Sequence, residues 1–309
     1  MTLATSDWRS LSAAQRELAL SPSSAIGGNY QPLIAQYVQR SAAARAWFAA
    51  QSQHRGSSPE PSTSDGAHNA PSAANACYGI AYGDTASQTF DLFLPPRTSA
   101  AHRAPPLLVF IHGGYWQELS KNESHFCAVH AVQNGLAHAV LDYTLAPAAS
   151  VNDIVDECEK ALRTLHTQAA ALGFDPNRIT LSGSSAGAHL AAMVALRCPF
   201  VASSVLVSGI YELEPLLGTS INHALGLNQA QAQRLSPALH DVSRFPKTLL
   251  AVGEIETAHF KQQSADFAAH LNNTCVYHLA GRNHFDVVFD IIDPATELGQ
   301  QTLRLIQST

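Results

Sequence analysis

From residue 77 onward the sequence alternates short apolar runs with longer stretches of helical periodicity, and this alternation restricts the fold more than any other feature. The apolar runs predict strands, and the periodic stretches between several of them predict helices. Strands that alternate with helices of this length favour an α/β fold, with helices on both faces of a mostly parallel central sheet. The predicted strands span residues 90–95, 106–112, 137–143, 178–183, 201–211, 247–253 and 275–281, and the predicted helices span 151–172, 186–198, 256–273 and 293–307.

Composition divides the rest of the chain into two further zones. Residues 1–50 show helical spacing of apolar side chains, so we expect a helical N-terminal segment that could cap a site on the α/β domain. Residues 51–76 are rich in Ser, Pro, Gly and Ala, which predicts a flexible linker or an insertion. Residues 77–309 are then expected to form the α/β domain, with its ligand chemistry at the carboxyl ends of the strands.

The overall composition argues against several classes of partner. Of the 309 residues 14% are charged, the net charge is −6, and no dense cluster of Lys and Arg occurs, so nucleic acid is not expected as a partner. No apolar run is long enough to span a membrane, and the N-terminus lacks the pattern of a signal peptide. We therefore predict a cytoplasmic protein that acts on a small molecule, and the sequence leaves a homodimer open.

The cysteines and the other candidate ligands do not form a metal or cofactor motif. Five scattered cysteines, without a CxxC pair, predict reduced thiols rather than disulfides or a zinc cluster. No HExxH or paired-His spacing occurs, and the Gly- and Ser-rich stretch described below lacks the lysine of a P-loop. The expectation is an enzyme with no metal and no cofactor. The cysteines are Cys77, Cys127, Cys158, Cys198 and Cys275.

A candidate nucleophile lies between a predicted strand and a predicted helix. Residues 183–187 read Gly-Ser-Ser-Ala-Gly and match the pattern G-x-S-x-G, with Ser185 at the centre and Ser184 one residue out of frame. Glycines on both sides permit a sharp turn that exposes the serine, and the next helix directs backbone N–H groups at a developing oxyanion. A simple Gly- and Ser-rich helix cap is the alternative interpretation.

A serine nucleophile needs a base and a group that orients the base. After such a serine the expected order along the chain is acid and then histidine. Glu256 follows the predicted strand 247–253, and His284 lies in a Gly, Arg and Asn loop after the strand 275–281, so these two are the candidates. The rivals, each considered weaker, are Glu254 and Asp286 for the acid and His278 for the base.

The stretch HGGYWQ begins at His112, the last residue of the predicted strand 106–112. An oxyanion needs at least two N–H donors, one of which is expected from Ala186, directly after the nucleophile. Gly113 and Gly114 have no Cβ to obstruct a close approach of backbone to substrate, so they are the candidates for the other donor. Tyr115 and Trp116 beside them are predicted to form an apolar wall of the substrate site.

Together these motifs resemble those of the α/β-hydrolase fold, in the esterase group that carries an HGG oxyanion motif. The combination of HGGYWQ with GSSAGAH is similar to the arylformamidase (kynurenine formamidase) branch. The resemblance extends over most of the chain from about residue 25, with residues 51–76 as an insertion. Further matching pieces are NYQP, YGDTASQTFDLFLP, LDYTLAP, SGIYELEPL and VGEIETAHFKQQS.

The resemblance implies a serine hydrolase in which Ser185 is the nucleophile, Glu256 the acid and His284 the base. The acid of this fold is often Asp, so Glu256 is a departure in residue type. The implied activity is that of an arylformamidase acting on N-formyl-kynurenine-like substrates. The alternative is a general carboxylesterase for short-chain or aryl esters. A silent hydrolase fold that binds a ligand is less favoured, because such a fold has no chemical need for all three residues.

Overall fold

The computed structural model describes residues 8–53, 74–96, 103–271 and 274–309. In these residues the strands are β1 (Asn75–Ala81), β2 (Thr89–Leu94), β3 (Leu107–Ile111), β4 (Ala137–Leu141), β5 (Ile179–Ser184), β6 (Val201–Val207), β7 (Lys247–Ile255) and β8 (Val276–Asn283). The helices are α1 (Ala13–Ala19), α2 (Gln31–Gln53), α3 (Ala128–Gln133), α4 (Val151–Leu172), α5 (Ala186–Arg197), α6 (Asn222–Leu225), α7 (Gln229–Arg234), α8 (Ala258–His270) and α9 (Glu297–Gln307).

The described strands form one sheet in the order β1-β2-β4-β3-β5-β6-β7-β8. β2 pairs antiparallel with β1 and with β4, and every other neighbouring pair is parallel. The predicted mostly parallel sheet is therefore confirmed. Because β3 and β5 to β8 run side by side in one direction, the loops at their carboxyl ends lie along one edge of the sheet.

Alternating side chains of the central strands pack on opposite faces of the sheet. In β3, Leu107, Val109 and Ile111 join a core cluster that also contains buried residues of α4, α5 and α8. Leu108 and Phe110 join a second cluster, with buried residues of α2, α3 and α9. This period of two follows from the pleat of a strand, and it accounts for the predicted helices on both faces.

The longest α/β crossover helix, α4, has clear start and stop signals in the sequence. The Ser150 side chain accepts a hydrogen bond from the Asp153 N–H, and the Asp153 side chain accepts one from the Ser150 N–H. Gly173 ends the helix with a φ of 91°, a left-handed conformation that glycine adopts without a Cβ penalty. These local signals explain why the predicted bounds 151–172 and the observed ones agree.

Several predicted bounds were wrong at their ends. The strand predicted over 201–211 stops at Val207, because Ser208 has a φ of 51° and turns the chain out of the sheet. The helix predicted over 256–273 begins only at Ala258, since β7 continues to Ile255, and it ends at His270. The strand β1 and the short helices α3, α6 and α7 were not predicted.

The helices and strands near the predicted linker do not begin and end where the amino-acid composition changes. Residues 51–53 belong to α2, and β1 begins at Asn75, so both ends of the predicted linker are regular structure. Residues 54–73 of that linker lie outside the described residues. In the N-terminal zone the chain forms α1 and α2 with short 3-10 turns at Trp8–Ser10 and Pro22–Ile26. Among the helices of the described ranges, none combines the length and the apolar character that a membrane crossing requires.

Candidate active site

Ser185 lies in the sharp turn between β5 and α5, at the carboxyl end of a central strand. Its backbone has φ 57° and ψ −122°, a conformation that residues other than glycine rarely adopt. The flanking glycines let this turn close. A Cβ on Gly183 would lie 2.3 Å from the carbonyl oxygen of Gly187, and a Cβ on Gly187 would lie 2.1 Å from the carbonyl oxygen of Ile111. The G-x-S-x-G pattern thus has the strained strand-to-helix geometry that it predicts.

The candidate acid and base form a hydrogen-bonded pair. Glu256 directly follows β7, and His284 directly follows the neighbouring strand β8. His284 Nδ1 lies 2.8 Å from Glu256 Oε2, and both side chains are buried. An ionised carboxylate only accepts hydrogen bonds, so Nδ1 carries the proton of this contact and Nε2 of the neutral ring is free to act as a base.

Ser185 and His284 line the same cavity. No hydrogen bond joins their side chains in this structure, and contacts of this kind often tighten only when substrate binds. The structure therefore brings the three residues Ser185, Glu256 and His284 to one edge of the sheet, at the ends of β5, β7 and β8.

Ser208 is a residue of this site that the sequence analysis did not single out. It follows β6, between the strands that precede Ser185 and Glu256. Its hydroxyl donates a hydrogen bond to Glu256 Oε1 at 2.5 Å, and the Gly253 N–H donates to the same oxygen at 2.7 Å. Glu256 Oε1 thus accepts the hydrogen bonds that fix the position of the carboxylate, and Oε2 accepts the hydrogen bond from His284. The only sequence signal for this role is the position of Ser208 directly after a parallel strand.

The three rival residues lie elsewhere. Glu254 is exposed, and its carboxylate accepts a hydrogen bond from the Gly281 N–H at 2.8 Å. His278 is exposed on β8. Asp286 accepts hydrogen bonds from the backbone and side-chain amides of Asn283, so its carboxylate stabilises the turn beside His284 rather than the ring itself. Burial raises the pKa of Asp286 above its ordinary value.

The HGG loop after β3 approaches the serine turn closely. A Cβ on Gly113 would lie 2.8 Å from the Ser184 carbonyl oxygen and 3.2 Å from the Ser185 Cβ, so a side chain at this position would collide with the turn. The Tyr143 hydroxyl faces two carbonyl oxygens of this loop, that of His112 at 3.0 Å and that of Gly113 at 3.3 Å. In a trans peptide the C=O and the next N–H point in opposite directions, so the Gly114 N–H points away from Tyr143.

The candidate oxyanion donors are also free to bind a ligand. Among the described residues, none accepts a hydrogen bond from the backbone N–H groups of Gly113, Gly114 or Ala186. Two of these groups lie in the loop after β3, and the third lies at the first position of α5, next to Ser185. Because β3 and β5 are paired neighbours, both sets of donors flank the same serine.

A cavity of about 380 Å³ contains the site, within the range of small-molecule pockets. Tyr115 is half-buried in its wall, and its hydroxyl donates to the Leu20 carbonyl oxygen. Several further aromatic rings line the cavity, so its surface suits an aryl group. These rings are Tyr30, Tyr37, Phe110, Phe126 and Phe285.

The structure corrects the prediction for Trp116. This side chain is completely buried and does not line the cavity. Tyr115 and Trp116 have φ values of 50° and 60°, and this tight turn directs the indole into the core, where it packs edge-on against His189 with ring centroids 5.0 Å apart. Trp116 is therefore a support of the loop and not a part of the substrate wall.

Part of the N-terminal segment forms another wall of the cavity. Glu17, Leu20 and the 3-10 turn that begins at Pro22 line it, as does Ile34 of α2. The end of α1 is attached to the catalytic side by the Thr257 hydroxyl, which donates to the Ala19 carbonyl oxygen at 2.7 Å. Residues of the segment that the sequence analysis left as a possible cap thus line the cavity that contains Ser185.

Comparisons with known proteins agree with this arrangement. The BD-FAE family model matches residues 90–199, which include the HGG loop and the G-x-S-x-G turn. Kynurenine formamidase of Danio rerio is 29% identical, over 97% of this chain and 99% of the relative. Kynurenine formamidase of Salmo salar is also 29% identical, over 78% of this chain and 86% of the relative.

Solved structures give the same fold. Esterase B from Lactobacillus rhamnosis superposes with a TM-score of 0.65 at 22% identity, over 91% of this chain and 96% of that protein. The relatives in sequence are hydrolases by name, and their similarity supports hydrolase activity here. The chain therefore has the α/β-hydrolase fold, with a BD-FAE domain match, and is similar to kynurenine formamidases over most of its length.

Proposed function

We propose that this protein is a serine hydrolase that releases a small acyl group from an aryl amide, with N-formyl-kynurenine-like formamides as its substrates. The observation that carries the proposal is that His284, hydrogen-bonded to Glu256, lines the same aromatic cavity as Ser185. The chain's similarity to kynurenine formamidases supports the choice of a formamide.

The first half of the reaction forms an acyl-enzyme. His284 Nε2 removes the proton of the Ser185 hydroxyl, and the Ser185 oxygen attacks the formyl carbon. Glu256 keeps the proton on His284 Nδ1 and stabilises the imidazolium that forms. The negative carbonyl oxygen is bound by the N–H groups of Ala186 and of the Gly113–Gly114 loop. His284 then gives its proton to the leaving aryl amine as the carbon–nitrogen bond breaks.

The second half uses water as the nucleophile. His284 removes a proton from the water, which attacks the formyl ester of Ser185. The same N–H donors bind the second oxyanion, and the proton on His284 returns to the Ser185 oxygen. Formate and the free serine are the products. A formyl group needs almost no space beside the serine, so the aryl leaving group is left to fill the aromatic part of the cavity.

A carboxylesterase acting on short-chain or aryl esters is the second candidate. The esterase with the same fold favours it, although that likeness concerns the fold alone. The catalytic residues would act in the same way, and an alcohol would leave instead of an amine. Substrate preference must therefore be measured.

The test compares N-formyl-L-kynurenine with a short-chain p-nitrophenyl ester in steady-state kinetics. Each substrate is measured with the wild type, with Ser185→Ala, and with Ser184→Ala as a matched control one residue away. We expect a kcat/KM for the formamide of at least ~10⁴ M⁻¹s⁻¹, and a loss of several orders of magnitude in Ser185→Ala. Ser184→Ala should keep most of the activity.

The possible results separate the two candidates. Turnover of the ester alone, dependent on Ser185, would replace the formamidase with the carboxylesterase. Near-normal turnover of both substrates by Ser185→Ala would rule out the serine mechanism altogether.

A further inference from the structure

The acidic and basic side chains that line the cavity are not balanced in number. Two carboxylates, Glu17 of α1 and Glu118 after the HGG loop, lie among the described lining residues, and no lysine or arginine does. The proposed reaction uses neither carboxylate. Their presence in a cavity with an aromatic surface therefore requires a separate explanation.

Glu17 is fixed in position at the cavity wall. Its carboxylate accepts hydrogen bonds from the Ser220 N–H, at 2.8 Å, and from the Ser220 hydroxyl. An ionised carboxylate has about four acceptor sites, so two such bonds leave capacity for a ligand. Glu17 and Tyr115 both line the cavity, and burial together with the negative charge of Glu17 raises the pKa of the Tyr115 hydroxyl.

Glu118 also lines the cavity. Its N–H donates to the Gly114 carbonyl oxygen at 2.9 Å, so its backbone is part of the turn that carries the oxyanion donors. Within the described ranges its exposed carboxylate forms no hydrogen bond or ion pair. This charge is therefore available to a ligand at the mouth of the cavity.

Lys121, Arg40 and Arg45, in the segment after the HGG loop and on α2, have partners outside the cavity lining, and Arg16, next to Glu17 on α1, does not line the cavity. Lys121 lies 3.4 Å from the buried Asp91, and Arg45 donates to the Asn122 carbonyl oxygen at 2.7 Å. Arg40 stacks over the Phe289 ring at 4.0 Å. A cleft lined by one sign of charge concentrates its field, so this cavity attracts positive groups and repels negative ones.

We infer that Glu17 and Glu118 select substrates whose leaving aryl amine carries a positively charged side chain, such as a primary ammonium. This inference rests on the proposed function. N-formylkynurenine carries an ammonium and a carboxylate on the same carbon, and the carboxylate has no cation among the described lining residues. The decarboxylated analogue, a formanilide with an ammonium and no carboxylate, is therefore a better substrate than N-formylkynurenine.

The experiment measures kcat/KM for a set of formanilides that differ in the charge of the substituent ortho to the formamide. The set comprises the decarboxylated ammonium compound, zwitterionic N-formylkynurenine, a neutral analogue without the amine, and anionic 2-formamidobenzoate. The proteins are the wild type, Glu17→Gln, Glu118→Gln, the double variant, and Glu297→Gln. Glu297 is exposed in the first turn of α9 and does not line the cavity, so its variant controls for net charge.

For the wild type we expect the order ammonium, zwitterion, neutral, anion, with about a tenfold advantage of the ammonium compound over the neutral one. The advantage should shrink at high salt, because screening weakens attraction between charges. Glu17→Gln and Glu118→Gln should each lose part of the preference for the ammonium compound, and the double variant should lose nearly all of it. Glu297→Gln should keep the full preference. Turnover of the neutral compound shows that each variant is folded.

Two results overturn the inference in distinguishable ways. The first result is an equal kcat/KM of the wild type for the neutral formanilide and the ammonium compound, or an unchanged preference for the ammonium compound in the double variant. Either would show that the carboxylates do not select charge, and the proposed function would stand. If no formanilide in the set shows Ser185-dependent turnover, the proposed function fails and this inference fails with it.

Discussion

Backbone strain is concentrated in residues at the carboxyl edge of the sheet. In the described ranges the non-glycine residues with positive φ all follow β3, β5 or β6; they are Tyr115, Trp116, Leu119, Ser185 and Ser208. Such a conformation costs on the order of 1–3 kcal/mol and persists only where the surroundings fix it. Here hydrogen bonds fix it, because the Ser185 N–H donates to the Val207 carbonyl at 2.9 Å and the Ser208 N–H donates to the Ala251 carbonyl at 2.8 Å. Strain at these positions marks the site independently of any motif.

Replacing Ser208 with alanine tests its role in positioning the acid. The change removes the 2.5 Å hydrogen bond to Glu256 and leaves only the Gly253 N–H on that oxygen. A hydrogen bond to a charged group contributes about 1.5–3 kcal/mol, so kcat should fall about 10- to 100-fold while KM changes little. Ser204→Ala is the matched control, since Ser204 lies on β6, the strand that Ser208 follows, and its hydroxyl lies 2.7 Å from that of Thr248, outside the cavity lining. An equal loss of kcat in both variants would contradict the positioning role.

At the scale of elements, the helix α2 connects the N-terminal segment to the loop that carries His284. The Tyr37 hydroxyl, on α2, donates to the Phe285 carbonyl oxygen at 2.6 Å, and Tyr30, just before α2, stacks on the Phe285 ring with centroids 5.2 Å apart. Phe285 is the residue next to His284. The helix therefore fixes the backbone of the candidate base as well as covering one face of the sheet.

Tyr37→Phe removes this attachment and keeps the ring. The Phe285 carbonyl then loses a part-buried partner, so the free energy of unfolding should fall by about 1 kcal/mol. We expect kcat to fall several-fold as well, because the loop of His284 becomes less well fixed. Urea unfolding and steady-state kinetics measure the two effects. Tyr78→Phe is the control, because Tyr78 is half-exposed and donates no hydrogen bond to any described residue. A similar fall in stability and kcat in Tyr78→Phe would contradict the role of the Tyr37 hydrogen bond, because the loss of any tyrosine hydroxyl would then have the same effect.

At the scale of the whole molecule, the sequence best predicts the positions of residues that directly follow a strand. Ser185, Glu256 and His284 could be placed at one edge because each directly follows a parallel strand, and such ends coincide in space. The direction of Trp116 could not be predicted, since two successive positive φ values turn it into the core. Ser208 was missed because its contact with Glu256 joins residues 48 positions apart, and no local pattern specifies that pairing.

Two fully buried histidines should make the stability of the whole protein depend on pH. Burial lowers the pKa of His138 to about 3 and that of His189 to about 4, whereas in the unfolded chain both titrate near 6.5. Below pH 6.5 the unfolded state therefore binds more protons than the folded state, and stability is lost as the pH falls towards these values. The loss should be on the order of 1–2 kcal/mol per histidine by pH 5, measured as urea midpoints between pH 7.5 and pH 5.

His138→Asn isolates one of these contributions. An asparagine amide can still donate to the Leu108 carbonyl oxygen, which His138 Nδ1 contacts at 3.0 Å, but it does not titrate. The variant should be less stable at pH 7.5, because a smaller side chain leaves a cavity, yet its stability should depend less steeply on pH. His240→Asn, at an exposed position, should leave the slope unchanged. A slope in His138→Asn as steep as that of the wild type would show that protonation of this histidine on unfolding does not contribute to acid lability.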